Sequence, residues 1–407
     1  QYIHIKITTT ALKKGLIFMM MNFKKRRETF LKEMEKHDYS MVVITDPSTI
    51  YYLTGFHSAL GIEWGRPELF ILTSESEPII ITPSMEEEMA RKQTKIDNVI
   101  PWTDGLDDEW RKPLQRYLKM YEGKKVGVDY YAMPRVVWDF ITDFIDEQNI
   151  TDITPIINRM RMIKDESEIQ IARHTGQVAV AMLEGAMEVA APGVEVYEVS
   201  LAAMEAGTRK AAQLMKEYYQ DDEPFNYPTI GNQQIMASGH HTTMCHHRNN
   251  LTKLEHGEPL FICHCGTVRF KGFYLGFDRT LFVGEINDEV SKLLEVAEAA
   301  QKAALSEVRP GAIAEDVFLA YAEVIQSAGY PIPFRAGRSV GFSENEQPQL
   351  AKGDKTVLQP GMIFAVDGGA DAPNYRTQVG DSILVTEDGF EFLTPFTKKH
   401  EELVVGK

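Results

Sequence analysis

Short apolar runs separated by helical segments constrain this chain more than any other feature. "SMVVITD" (40–46), "PELFILT" (67–73), "EPIIITP" (77–83) and "KKVGVDY" (124–130) each carry three or four consecutive apolar residues bounded by polar or turn residues, the pattern of a buried strand. Between and around them lie "RRETFLKEMEKHDY" (26–39), with Phe30, Leu31 and Met34 at helical spacing, the solvated "MEEEMARKQ" (85–93) and the amphipathic "PRVVWDFITDFIDEQ" (134–148). Such alternation predicts a sheet covered by helices, an α/β domain over residues 22–158.

A long helix opens the second half. In "IKDESEIQIARHTGQVAVAMLEGAMEVAAPG" (163–193), Asp165 and Glu168 have the spacing of a capping box, and Pro192 with Gly193 ends the run. His174, inside it, reads as a packed or solvated helical histidine. "APGVEVYEV" (191–199) recurs as "RPGAIAEDV" (309–317), each leaving one helical stretch and entering another. The repeat predicts a duplicated αβ unit with the site between its halves.

The 407 residues carry a net charge of −16, which disfavours a nucleic acid or an anionic membrane surface, since both select a basic face. The first twenty-one residues hold "GLIFMMM" (15–21) as their longest apolar run, short for a signal core or membrane span. They are expected to form a disordered or artefactual extension, with folding starting near Asn22. Cys245, Cys263 and Cys265 are the chain's three cysteines. Their close spacing offers no disulfide framework, and reduced thiols in a cytoplasmic protein are expected.

"CHHRNNLTKLEHGEPLFICHCG" (245–266) gathers these cysteines with His246, His247 and His264. If "EPLFICHCG" is a strand, Cys263 and Cys265 share one face and His264 points to the other, so three adjacent residues do not all reach one ion. A zinc site would need one strand face plus His246 or Cys245, and no C-x-x-C or H-x-x-x-H spacing supports it. A buried strand with small, soft side chains is the simpler reading.

Further motifs follow in order: "GFYLGFDRTLFVGE" (272–285), "GRSVGFSENEQPQL" (337–350), "VLQPGMIFAVDGG" (357–369) and "VGDSILVTEDGFEFLTP" (379–395). With "NRMRMIKDESEIQIARHTGQVA" (158–179) and "GRPELFIL" (65–72), they resemble the pita-bread superfamily of creatinases, prolidases and methionine aminopeptidases, from about residue 25 onward. The resemblance implies an amino-terminal creatinase-type domain (22–158) and a pseudo-two-fold pita-bread catalytic domain (159–407). It also implies five metal ligands in the metal-dependent members: two aspartates, a histidine and two glutamates. Set against that pattern, the first aspartate falls on Cys263 or His264 and the second on Gly276. The histidine falls on Arg338, the first glutamate on Asp367 and the last on Gly380. An arginine in a ligand position repels a dication, so the resemblance points to metal-free creatinase and to no metal or other cofactor.

That likeness assigns roles. His246, or His247 one register away, matches the proton-carrying histidine, which at near-neutral pKa serves as base and then acid. Asp278 takes the place of a glutamate that grips a guanidinium, with Glu346 and Asp367 as further acidic contacts. Arg66, reaching across a homodimer, and Arg338 are expected to anchor the substrate carboxylate. The expected activity is metal-independent C–N hydrolysis of a small zwitterionic amidine or guanidino acid. Two alternatives stand beside it: a metal-dependent Xaa-Pro-peptidase-like hydrolase or lyase rebuilt on Cys263, His264, Cys265 and His246, and a catalytically inactive binding homologue.

Overall fold

A computed structural model describes residues 21–58, 60, 65–222, 226–231 and 235–407. The expected extension at 1–21 thus lies almost wholly outside the described residues. Two compact units emerge, one of residues 21–160 and the other from 161 to the carboxy terminus.

In the first unit, β1 (Met41–Ile44), β2 (Leu69–Thr73), β3 (Ile79–Pro83), β4 (Asn98–Trp102), β5 (Val126–Val128) and β6 (Ile150–Asp152) form one mixed sheet of order β4-β3-β2-β1-β5-β6. β1, β2, β3 and β5 are the four apolar runs of the sequence, and every residue in them is buried, which requires cover on both faces. β4 and β6 escaped the sequence reading. β4 carries Pro101, tolerated because the strand is an edge, and β6 has only three residues. The helix Phe23–Lys36 buries Phe30 and Met34 while Leu31 stays half-buried.

The second unit shows the duplication in its backbone hydrogen bonds. Helices Glu166–Val189 and Val196–Tyr218 form one pair, Asp288–Glu307 and Ala314–Ser327 the other. Asp165 accepts from the Glu168 amide at 2.9 Å and donates to its carboxylate at 2.8 Å, completing the capping box. In the first connection Gly193 N–H donates to Leu254 O, Leu254 N–H to Val194 O and Val196 N–H to Thr252 O. In the second, Gly311 donates to Leu358, Leu358 to Ala312 and Ala314 to Thr356. Gly193 and Gly311 both have positive φ, 87° and 85°, where glycine avoids the Cβ clash. The matching Pro-Gly motifs therefore mark the same turn in each half.

These helices accompany a sheet built from β7 (Ile235–Ser238), β8 (Pro259–Cys263), β11 (Asp278–Val283), β12 (Arg335–Ser339), β13 (Glu346–Ala351), β14 (Ile363–Asp371) and β15 (Arg376–Val385), ordered β13-β12-β14-β15-β11-β8-β7. A short hairpin of β9 (Arg269–Phe270) and β10 (Phe273–Tyr274) lies between β8 and β11 in the chain. Among the described residues no helix is long and apolar enough to cross a membrane.

Candidate active site

Register assembles the site. Cys263 on β8 pairs with Asp278 on β11, Asp278 with Gly380 on β15, and Gly380 with Asp367 on β14. Four residues scattered over more than a hundred positions thus form one row across four antiparallel strands, and directly opposed residues share a face. β12 extends the row: Arg338 pairs with Ala365, two residues before Asp367 and on the same face.

The strand β8 ends at Cys263 and the chain then turns, so Cys265 folds back and its amide donates to Cys263 Sγ at 3.3 Å. Donor atoms of Cys263, Cys265 and Asp278 all lie within 4.8 Å of one another. His264 is buried beside Phe277, and among the described residues neither ring nitrogen has a partner. Burial pulls its pKa down to about 3, leaving it neutral. The expected division of the Cys-His-Cys segment between two sides therefore holds, although it comes from a turn rather than from a continuous strand.

Asp278 is 1% exposed; its Oδ2 accepts from Gln378 Nε2 at 2.9 Å and its Oδ1 has no partner among the described residues. The neighbouring Arg279 does not use that carboxylate: it donates to the Asp278 carbonyl and forms its ion pair with Asp381 at 2.7 Å. Burial, then the charges of Asp367 and Cys265, push the Asp278 carboxyl well above the usual range. Asp367 is also raised by burial, against the opposing pull of Arg338, Arg335 and Arg376. Its Oδ2 lies 3.5 Å from Arg338 Nη1, and its Oδ1 is unpartnered among the described residues. Within the thiol pair, the hydrogen bond from Cys263 and the charge of Arg338 lower Cys265 to about 7 against the effect of burial.

Other residues expected at the site have different surroundings. Glu346 is corrected from a substrate contact to a structural anion. It is buried, contacts Arg161 and lies 3.1 Å from Lys164 Nζ, so its charge is already balanced inside the protein. Burial opposes that charge, but the two cations prevail and hold its carboxyl below the ordinary value. Arg66, in the amino-terminal unit, grips Asp104 through Nη2 at 2.6 Å and Nε at 2.9 Å. His246 is exposed, and among the described residues no contact engages its imidazole. Its neighbour Cys245 is within electrostatic reach of Arg376, Asp278 and Asp367. His247 stacks on His241 at 4.6 Å. Gln378, Arg335 and Arg376 were missed by sequence reasoning, and no spacing or motif signals them.

A mixed α/β fold with two homologous helix-pair halves around one sheet, and its site on the sheet face, defines the pita-bread class of hydrolase folds. The chain belongs to metallopeptidase family M24, whose model matches residues 170–387, and the creatinase/prolidase amino-terminal domain matches residues 26–163. It is 26% identical over 381 residues to an agropine synthesis cyclase of Rhizobium rhizogenes, spanning 89% of this chain and 93% of that protein. It is likewise 26% identical over 377 residues to an Xaa-Pro dipeptidase of Pyrococcus furiosus, covering 91% and 98%. The prolidase structure from Thermococcus sibiricus superposes with a TM-score of 0.80 at 24% identity, over 95% of this chain and 99% of that one.

These relationships overturn the expected metal-independent, creatinase-like amidinohydrolase and its zwitterionic amidine substrate: the family is one of metallopeptidases and the relatives include Xaa-Pro dipeptidases. Yet the oxygen-rich, two-ion centre that the resemblance implies does not fit this chain. A Cβ on Gly380 would lie 2.3 Å from Asp278 Oδ2, and one on Gly276 would lie 2.6 Å from Ala365 Cβ and 3.5 Å from Arg338 Nη2. Carboxylates at those two positions have no room beside the present side chains. Arg338, at the histidine position, carries a cation.

Proposed function

We propose that this protein hydrolyses the amide bond of a small, dipeptide-sized substrate, as Xaa-Pro dipeptidases do, in the pocket framed by Cys263, Asp278, Asp367 and Arg338. The observation that carries this reading is the row across β8, β11, β15 and β14, which gathers onto one sheet face three of the positions aligned with the family's ligands, Cys263, Gly380 and Asp367, together with Asp278. Arg338 is buried and permanently charged. Its guanidinium supplies fixed N–H donors to the scissile carbonyl oxygen as negative charge develops there.

Asp367 manages the proton. Its unpartnered Oδ1 accepts a proton from the attacking water as the water oxygen bonds to the carbonyl carbon. The same carboxyl then protonates the departing nitrogen as the C–N bond breaks, returning to its starting state. A carboxyl raised by burial yet checked by three arginines suits both halves of that cycle. Three free thiols support a cytoplasmic site of action.

The test is incubation of purified protein with Ala-Pro, Leu-Pro and Ala-Ala, with released amino acids quantified by mass spectrometry. Wild type is expected to release product, and Asp367→Asn to lose roughly 10²- to 10⁴-fold of that rate. Folded wild-type protein that cleaves none of the three overturns the reading.

A further inference from the structure

We infer that Cys263, Cys265 and Asp278 bind a single soft divalent metal ion of the zinc type, in place of the two-ion oxygen centre that this chain cannot hold. The inference deepens the proposed function and rests on it only for treating this pocket as the active site; metal binding is read out without turnover.

The donor set comes first. Two sulfurs and a carboxylate lie within 4.8 Å of one another. Atoms bound to one tetrahedral zinc ion lie about 3.5–3.8 Å apart, so closure by about 1 Å suffices. Thiolates select zinc over magnesium or manganese. Three protein ligands also leave the fourth position open, the arrangement of catalytic rather than structural zinc.

The second observation is the orphaned carboxylate oxygen. Asp278 is almost fully buried; its Oδ2 accepts from Gln378 and lies 3.9 Å from Cys265 Sγ, while Oδ1 has no partner among the described residues. A buried acceptor left bare is costly unless something fills it. The Cys265 amide that donates to Cys263 Sγ is the kind of outer hydrogen bond that holds a ligating sulfur in place.

The third is how the carboxylate came to be there. Residues 276 and 278 share a strand-face periodicity, so the acid absent from Gly276 reappears two residues along, on Asp278. Glycine at 380 makes this workable, because a side chain there would occupy the space of Asp278 Oδ2. Cys263, Cys265, Asp278 and Asp367 carry four negative charges when ionised, and Arg338 beside Asp367 supplies one positive. One dication leaves the group at −1, and a second would add a further like charge beside the Arg338 guanidinium, which already acts on Cys265.

The experiment is cobalt(II) titration of chelator-treated, reduced full-length protein. One equivalent is expected to bind with a thiolate-to-cobalt charge-transfer band in the near ultraviolet, and zinc is expected to bleach it. Cys263→Ser and Cys265→Ser should each weaken binding by about tenfold or more and diminish the band. Asp278→Asn, nearly isosteric, should weaken binding while the band persists, and Cys245→Ser should change nothing. Circular dichroism identifies any variant that fails to fold, and the Asp278→Asn result then carries the comparison. Cobalt bound without the charge-transfer band, no cobalt bound while the thiols titrate as free, or an unchanged Cys265→Ser spectrum overturns the inference. A thiolate–cobalt spectrum with no dipeptide cleavage leaves the site standing and refutes the proposed activity; cleavage without the spectrum does the reverse.

Discussion

Replacing Glu346 by Gln separates a structural anion from a substrate contact. Side-chain exposure is 6% for Glu346, 7% for Arg161 and 1% for Lys164, so the substitution leaves two buried cations facing a neutral amide. Removing one partner of a buried ion pair costs about 3–5 kcal/mol, a large share of the 5–15 kcal/mol that holds a typical domain together. Arg161 Nε keeps a hydrogen bond to the amide oxygen, which places the expected loss near the lower end, about 3 kcal/mol.

Denaturant unfolding of wild type and variant measures the difference, and its pH dependence supplies a second check. Because the folded carboxyl sits below its ordinary value of 4.5, its contribution is fully present above that pH. It is lost as pH falls through the lower folded value. The stability gap between the proteins should therefore be widest at neutral pH and narrow below 4.5. An E346Q protein as stable as wild type, with only its KM raised, would refute the argument and return Glu346 to the substrate.

Three further outcomes are expected. Arg338→Met should reduce kcat/KM by about 10²- to 10³-fold; losing the cation that lowers Asp367 should also move the acidic limb of the pH–rate profile upward, and a limb that stays put counts against Asp367 as the base. Gly176→Ala should destabilise the protein in thermal melts, although helix propensity alone favours alanine by about 1 kcal/mol, because the new Cβ would lie 1.8 Å from Leu393 O; a higher melting midpoint would show that the helix does not pack there. His174, buried with Nδ1 2.8 Å from Tyr219 Oη and lowered by burial to about 4, stays neutral in the fold while the unfolded chain gains a proton below about 6.5; stability should fall by up to about 1.4 kcal/mol per pH unit between those values, and His174→Leu should flatten that slope in denaturant titrations.

Local physics made much of the fold legible. The apolar runs became β1, β2, β3 and β5, Asp165 and Glu168 closed their capping box, and the two Pro-Gly segments formed matching turns. Each depends on neighbours within a few residues, so composition and spacing suffice. The site was legible in parts. The resemblance marked Asp278, Arg338 and Asp367, but it gave Glu346 a substrate to hold because the sequence does not show Arg161 and Lys164 closing on it. His246 had the chemistry of a proton carrier, and the structure leaves its ring exposed.

What the sequence determined by itself is therefore where strands, helices and caps form and, through the resemblance, that four of the five metal-ligand positions lost their usual donors. Tertiary structure alone decided which charges are already neutralised and which residues face one another. Cys263, Asp278, Gly380 and Asp367 meet through strand register, and register is fixed by the pairing of distant segments, where a slip of one residue would turn every side chain to the opposite face.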